Sequence, residues 1–395
     1  MQNAKETDSL LIMKGDTEIG TLNRVQSGYE LFFQPPWRDQ WVTYRINGST
    51  VPLRQQGESL PPFFANLLPE GYRLKALKEK IKTSEDDLFS LLVASGGSCV
   101  GDIYVKTEGA ETFSEMISPK KINFFDFFQK QAGEEMPETI SGAQEKISSS
   151  MISFPVNVAK KNKQYILKLN PKDKPHLVEN EFACMTLAKK CKISAANVKI
   201  VTDRDRNKAL LVERFDRVWN EKTQSMQMLH QEDGCQFLNL YSSQKYRVSW
   251  GQLTEAVNEL THSSVADILN LLKLYAFSYL IGNGDLHAKN VSLHDVPGCP
   301  RSLTPAYDLI CTRIFGDEHM ALKIGSKDQN LNRRIFVEFG TRYGVPAPAV
   351  EMMLDKLLNL FVKNEKILFS FPMTEKQAKL LKEMTTQRVK ELRAD

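Results

Sequence analysis

The sequence predicts an α+β fold of two lobes: a β-rich N-terminal lobe with an added N-terminal subdomain, then an all-helical C-terminal lobe. Three observations carry this reading. Short runs of alternating apolar and polar residues, separated by turn residues, fill the first half. Helical periodicity dominates from about residue 218 onward. Between them in importance stands "IGNGDLHAKNVSLH", residues 281 to 294. There the most apolar stretch of the chain ends in Gly-Asn-Gly, and Asp285, His287, Lys289 and Asn290 crowd one loop.

Taken in order, "YELFFQ" and "WVTYRI" read as strands, with Asn47-Gly48 as a turn. "LPPFFANLLPEGYRLKALKEK" opens on a Pro pair and becomes helical and basic. "TSEDDLFSLLVASGG" has the Thr/Ser start, early acids and Gly-Gly end of a capped helix, and "SCVGDIYV" is a strand. These elements make a subdomain over 1–108. Residues 109 to 138 turn polar and acid-rich, a linker around one short helix. "KISSSMISF" returns to strand character, and "FPVNVA", "KKNK" and "QYILKLN" form a hairpin. Tyr165, Leu167 and Leu169 then share one strand face, and Ile166, Lys168 and Asn170 the other. "ENEFACMTLAKKCKI" is helical, and "VKIVTD" and "ALLVERFD" are strands, completing a small lobe over 109–217. In the large lobe, 218–395, the strongest helix is Val265 to Ile281. Ser264 with Asp267 starts it, and Gly282-Asn283-Gly284 ends it. "NVSLH" and "LTPAYDLI" read as short strands, and the tail from about Asn330 is helical.

A chain of 395 residues with 42% hydrophobic content can bury a large core, and two or three domains are expected. The net charge of +4 and pI near 8.5 fall short of what marks a nucleic-acid-binding domain by itself. None of the six cysteines is spaced C-x-x-C, which argues against a zinc site. No secretory signal is expected from "MQNAKETDSLL". The apolar run from Ile268 to Ile281 is broken by Asn270, Lys273 and Ser278, too short and polar to span a bilayer. A reducing cytoplasm, free thiols and no membrane association are the expectation.

The five-residue interval from Asp285 to Asn290 is that of the protein-kinase catalytic loop, which ends D-x-x-x-x-N. One short loop can bring the Asp to an attacking hydroxyl and the Asn amide oxygen to Mg²⁺ on the phosphates of ATP. A second metal ligand should follow a hairpin, and Asp308 in "AYDLI" fits. The bland alternative is a helix-terminal loop that is merely polar. His287 could be a metal ligand or support the loop through hydrogen bonds. Lys289 could touch the transferred phosphate or be solvated. Lys168 is the one charge inside an apolar strand. It either snorkels from a sheet edge or binds phosphate, oriented by Glu181 or Glu179. "TISGAQEKISSS" has a single glycine, Gly142, so it is no G-x-G-x-x-G loop, but a small-residue turn can cover phosphates with backbone N–H groups. Its Thr139 and Ser141 are phosphoacceptor candidates or plain turn formers.

Several blocks, in order, resemble the HipA toxin family of bacterial Ser/Thr kinases: "LPPFFANLLPEGYR", "SCVGDIYV", "ISGAQEKIS", "ILKL", "VENEFACMTLAKK", "VERFDR", "QEDGCQ", "GDLHAKN" and "AYDLI". The resemblance implies a bilobal kinase-like fold. It implies Asp285 as catalytic base, Asn290 and Asp308 as Mg²⁺ ligands, Lys168 as the phosphate-binding lysine, and Glu213 and Phe215 as the adenine hinge. Ser141, Gly142, Ala143, Gln144, Glu145 and Lys146 become the phosphate-covering loop, with His287 and Lys289 also facing ATP. Family members phosphorylate a Ser in that loop. Thr139 departs from that pattern, so Thr139 and Ser141 both stay candidates here. A phosphate there would add about −2 charge beside the nucleotide. The resemblance also implies a helix-turn-helix antitoxin that binds DNA and the kinase together, and a protein substrate such as an aminoacyl-tRNA synthetase. Two other readings compete: a small-molecule kinase of the aminoglycoside or choline type, and a silent DNA-bound corepressor. The N-terminal domain argues against the first, the filled catalytic positions against the second.

Overall fold

The computed structural model describes residues 4–26, 28–50, 53–56, 60–84, 86–95, 99–109, 116–132, 151–158, 163–171, 174–262 and 264–394. The counts below are of those residues.

The N-terminal domain is a five-stranded antiparallel sheet with three helices. Its strands are β1 (Ser9–Lys14), β2 (Thr17–Val25), β3 (Gly28–Phe33), β4 (Leu53–Gln56) and β5 (Ile103–Lys106), in the order β4-β3-β2-β1-β5. Alternation places Leu10 and Ile12 of β1 and Leu31 and Phe33 of β3 fully inside. Helices α1 (Pro62–Ala65), α2 (Gly71–Ile81) and α3 (Leu88–Ser95) lie between β4 and β5 in the chain, and Phe64, Phe89 and Leu91 pack into the same core.

One expected strand is absent. "WVTYRI" makes only an isolated bridge, Trp41 to Asn47, and Gly48 opens a short 3-10 turn. The polar groups of this segment are used across the domain boundary instead. The Tyr44 N–H donates to Glu232, and Arg45 Nε donates to the Phe237 carbonyl at 2.6 Å. Alternation here marks a docking segment, whose inward residues meet another domain rather than a neighbouring strand.

The small lobe is a second five-stranded sheet, order β6-β7-β8-β10-β9, built from β6 (Met116–Ile117), β7 (Ile152–Val158), β8 (Gln164–Leu169), β9 (Val198–Thr202) and β10 (Lys208–Glu213). The expected hairpin is β7 with β8, antiparallel, Ser153 facing Lys168. Helix α4 (Phe124–Ala132) and the buried Tyr72 and Ala76 of α2 cover one face, where Tyr165, Leu167 and Leu169 are buried. Helix α5 (Leu177–Lys190) covers the other.

A hairpin of β11 (Arg217–Asn220) and β12 (Ser225–Met228) leads into the large lobe. Its helices are α6 (Gly234–Phe237), α7 (Trp250–Leu260), α8 (Val265–Ile281), α9 (Arg333–Arg342), α10 (Ala347–Asn364) and α11 (Glu375–Arg393). Helix α8 begins and ends where the sequence placed it. Ser264 accepts the Asp267 N–H, and Gly282 ends the helix at φ +72°. A side chain at Gly282 would also meet the Cβ of Arg313 at 2.8 Å. The lobe expected to be all-helical also carries a three-stranded sheet: β13 (His230–Asp233), β14 (Ser292–Asp295) and β15 (Ser302–Leu303). This sheet anchors the loop leaving α8, since β14 follows it directly. The rest of "LTPAYDLI", including Asp308, lies outside regular strands.

Candidate active site

A cleft of about 330 Å³ opens where the three parts meet. Ile166, Lys168, Val212 and Phe215 line it from the small lobe, and His287, Lys289, Asn290 and Asp308 from the large lobe. Asn66, Glu70 and Arg73 line it from the N-terminal domain.

Lys168 stands on β8 facing the cleft, opposite the buried Tyr165–Leu167–Leu169 face, as strand alternation requires. Its Nζ donates to both oxygens of Glu181, at 2.8 and 2.9 Å, and also bonds Asp308. Burial opposes the ammonium charge, but the two carboxylates more than offset it, so the lysine pKa is raised. Glu181 is fully buried, and burial together with the charge of Asp308 pushes its pKa up to about 7. Of the two glutamates left open by the sequence, Glu181 is thus the partner of Lys168. Glu179 turns away to Lys208, at 3.1 Å, and to His176 and Asn170.

Asp308 has φ +54°, an uncommon backbone state for a residue with a side chain, though Asp tolerates it better than most. Tyr307 beside it donates to the Lys289 carbonyl at 2.7 Å, tying this segment to the loop after α8. Asn290 lies against Asp308, Nδ2 to Oδ2 3.4 Å, and its Oδ1 accepts the His287 N–H at 3.2 Å. A carboxylate and a neighbouring carboxamide carry the hard oxygen donors Mg²⁺ takes, although here the Asn290 oxygen faces the His287 N–H and its nitrogen faces Asp308, so the amide would have to turn to offer its oxygen to an ion. The ion usually completes its shell with water and phosphate. Among the described residues no three His, Cys, Asp or Glu side chains converge on one metal position. The donor set therefore fits a Mg²⁺ shared with a nucleotide rather than a resident protein-caged ion.

Asp285 is buried and is not among the residues lining the cleft, although His287, two positions on, is. Its Oδ1 accepts the hydroxyl of Tyr246 at 2.6 Å, and its N–H donates to Asn283 at 3.1 Å. Gly284 precedes it in a space closed to any side chain: an added Cβ would stand 2.6 Å from the His319 carbonyl oxygen. His287 lines the cleft but is not poised as a proton carrier. Burial first, then Lys245, lowers its pKa to about 3, so the ring is neutral. Its backbone forms the turn with Asn290, the loop-supporting role.

Lys289 is neither solvated nor free. It bonds Glu70 at 2.9 Å, lies 3.5 Å from Asp233, and donates to Asn66 Oδ1 at 3.1 Å. Sequence reasoning missed these partners, although Glu70 and Asp233 fall inside the quoted blocks "LLPEGYR" and "QEDGCQ".

At the strand β10 exit, the Glu213 side chain turns outward to Lys163, and the N–H groups of Glu213 and Arg214 are taken by Asn197 and Gln164 carbonyls. Phe215 lines the cleft, its ring 6.0 Å from that of Tyr307. Thr139, Ser141, Gly142, Ala143, Gln144, Glu145 and Lys146 lie outside the described residues.

Comparison with known proteins identifies the family and the fold. The family model described as the HipA-like C-terminal domain matches residues 139–364, and the HipA N-terminal domain matches residues 10–106. The chain is 29% identical over 357 residues to the serine/threonine-protein kinase toxin HipA of Shewanella oneidensis, covering 83% of this chain and 81% of that one. It is 27% identical over 355 residues to the putative kinase Y4mE of Sinorhizobium fredii, covering 83% of each. Among solved structures, the complex of Shewanella oneidensis HipA, HipB and operator DNA contains a chain that superposes with a TM-score of 0.74 at 24% identity, covering 97% of this chain and 96% of that one, which shows a shared fold. With both of its domains matched in their order along the chain, the protein belongs to the HipA family.

Proposed function

We propose that the chain is an ATP- and Mg²⁺-dependent protein Ser/Thr kinase that acts as the toxin of a toxin–antitoxin pair in the cytoplasm. The observation that supports it most is the convergence of Lys168, Asn290 and Asp308 on one cleft, with the buried Asp285 two residues before His287 of the lining. In this reading Ile166, Val212 and Phe215 sandwich adenine, and the Phe215 N–H is the hinge donor. Lys168, held upright by Glu181, binds the phosphates. Mg²⁺ on Asn290 and Asp308 would neutralise charge on them. The acceptor hydroxyl oxygen bonds the γ-phosphorus as its bond to the β-bridging oxygen breaks. The hydroxyl proton passes to the Asp285 carboxylate, and ADP leaves. Asp285 reaches the acceptor once the Tyr246 hydroxyl gives way to it.

The Shewanella oneidensis relative, named a kinase toxin, supports the toxin role, and the solved complex of HipA, HipB and operator DNA supports an antitoxin partner, with DNA reached through that complex; the helix-turn-helix type of that partner is what the family resemblance implies. We assign the autophosphorylated position to Ser141 or Thr139 and the outside target to a protein such as an aminoacyl-tRNA synthetase. The test is transfer of labelled γ-phosphate with Mg²⁺ in cell lysate, comparing wild type with Asp285→Ala and with Thr139→Ala/Ser141→Ala. One labelled lysate protein that requires Asp285 is the expected result, with label on the enzyme itself lost in the double variant. ATP binding without any transfer would favour the silent corepressor.

A further inference from the structure

The Lys289 contacts carry an inference that rests on Asp285 being the base. Glu70 lies just before α2 in the N-terminal domain, far in sequence from every catalytic position. Its carboxylate nevertheless gathers three groups of the large lobe: Lys289 at 2.9 Å, Lys245 at 2.5 Å and the hydroxyl of Ser242. Burial alone would raise the Glu70 pKa, but Lys289 and Lys245 outweigh it and lower it, so the group is anionic at neutral pH.

Both lysines lead to the base. Lys289 sits in the loop between Asp285 and Asn290, and its carbonyl is fixed by Tyr307, the neighbour of Asp308. The Lys245 carbonyl accepts the Ala288 N–H at 3.2 Å, inside that same loop. Lys245 is followed by Tyr246, whose hydroxyl holds Asp285 Oδ1 and whose ring packs edge-on to His287, centroids 5.1 Å apart. One carboxylate therefore braces the catalytic loop from inside and the segment that caps the base from outside. Lys245, Lys289, Asp233 and the neutral His287 surround it.

We propose that Glu70 is a positioning residue for phosphotransfer, through which the N-terminal domain sets the orientation of Asp285. The domain is thus a working part of the active site as well as a docked accessory. Small misplacement of a reacting group is costly to rate while leaving ligand contacts in place.

The test compares Glu70→Gln, Lys289→Met and the double variant with wild type, in the full chain. It reads kcat, KM for ATP and equilibrium binding of Mg·ATP. Glu70→Gln is expected to lower kcat by about 10- to 100-fold with Mg·ATP binding nearly unchanged. The double variant is expected to be no slower than Glu70→Gln alone, because Lys289→Met cuts only one of the two linkages that Glu70→Gln already cuts. Unchanged kcat in Glu70→Gln, or losses that simply multiply in the double variant, would overturn the proposal. If Glu70→Gln does not fold, Lys245→Met/Lys289→Met tests both linkages from the large-lobe side, and a full kcat there also overturns it. Asp285→Asn separates the two readings. If it stays active, the base assignment fails. If it is inactive while Glu70→Gln is as fast as wild type, only the positioning role fails.

Discussion

Lys168 and Lys289 line the same cleft, and each is held by two carboxylates, one more enclosed than the other, yet the more open carboxylates differ in their further partners. Lys168 has one fully enclosed partner, Glu181, and one whose side chain is 34% exposed, Asp308. The exposed partner is also a candidate metal ligand, so it can trade the lysine for a cation while Glu181 keeps the ammonium in place. Lys289 is wedged between Glu70 of one domain and Asp233 of another, with Asn66 completing the shell. Exposure does not separate the clusters, since the Glu70 side chain is 31% exposed; what separates them is that Glu70 is shared by two lysines of the large lobe, Lys289 and Lys245, while Asp308 is a candidate to hold a metal. On the proposed reading, the same pair chemistry serves ligand exchange at Lys168 and bracing of the catalytic loop at Lys289.

The largest expected effect bears on what both clusters serve. Asp285→Ala should lower phosphotransfer by about 10²- to 10⁴-fold and leave ATP binding largely intact, since a base does not hold the nucleotide. Loss of ATP binding in a binding titration would show that Asp285 has another role. Next, Lys168→Met breaks the first cluster itself. It leaves Glu181 enclosed without its cation, a change that costs about 3–5 kcal/mol when a buried pair loses one member. Urea unfolding should show a lower midpoint alongside weaker ATP affinity, and an unmoved midpoint would mean that Glu181 simply takes up a proton. Asp308→Ala should be milder for stability, because that partner is partly solvated. It should weaken ATP binding in the presence of Mg²⁺ and change it little with the metal chelated. Equal affinities for Mg·ATP before and after substitution would remove Asp308 from the metal site.

The smallest effect concerns another contact between the N-terminal domain and the large lobe. His230 Nδ1 lies 2.7 Å from Asp102 and Nε2 3.0 Å from Glu232, while Lys14 also pairs with Asp102. Burial alone would lower the imidazole pKa, but the bonds to Asp102 and Glu232 outweigh it and raise it from 6.5 to about 9. A base whose folded pKa is raised contributes stability that is complete below about pH 6.5 and is lost as pH rises through 9. Tm measured from pH 6 to 9.5 should therefore fall more steeply in wild type than in His230→Gln. Parallel curves would show that the proton on His230 does not hold the domains together.

Much of the architecture was legible because it is written in local terms. Helix α8 needs only a Ser before it, a Gly after it and apolar residues throughout, and it lies where those residues say. The β7–β8 hairpin follows from alternation, and alternation alone sends Lys168 to the face opposite Tyr165. The segment "WVTYRI" shows the limit of such reasoning. It alternates like a strand, but Tyr44 and Arg45 bond Glu232 and Phe237 of another domain, and no local pattern distinguishes a strand partner from a domain partner. Of the small sheet β13-β14-β15, "NVSLH" marked β14, but β13 and the pairing of the three were not legible, since the strands have four, four and two residues and β13 lies far from the others in the chain.

By itself, the sequence determined the candidate chemistry: an Asp and an Asn five apart on a loop after a capped apolar helix, a later Asp, and one lysine inside a strand. Spacing along a loop or strand is set by covalent geometry, which needs no knowledge of what packs nearby. Tertiary structure alone decided which carboxylate serves which cation. It chose Glu181 over Glu179 for Lys168, because the two lie on different sides of α5 and only one faces β8. It also brought Lys289 to Glu70 and to Asn66, a residue 223 positions away, through domain docking that no local pattern encodes. A buried charge must find an opposite charge wherever the fold offers one, and where the fold offers it is known only once the chain is folded.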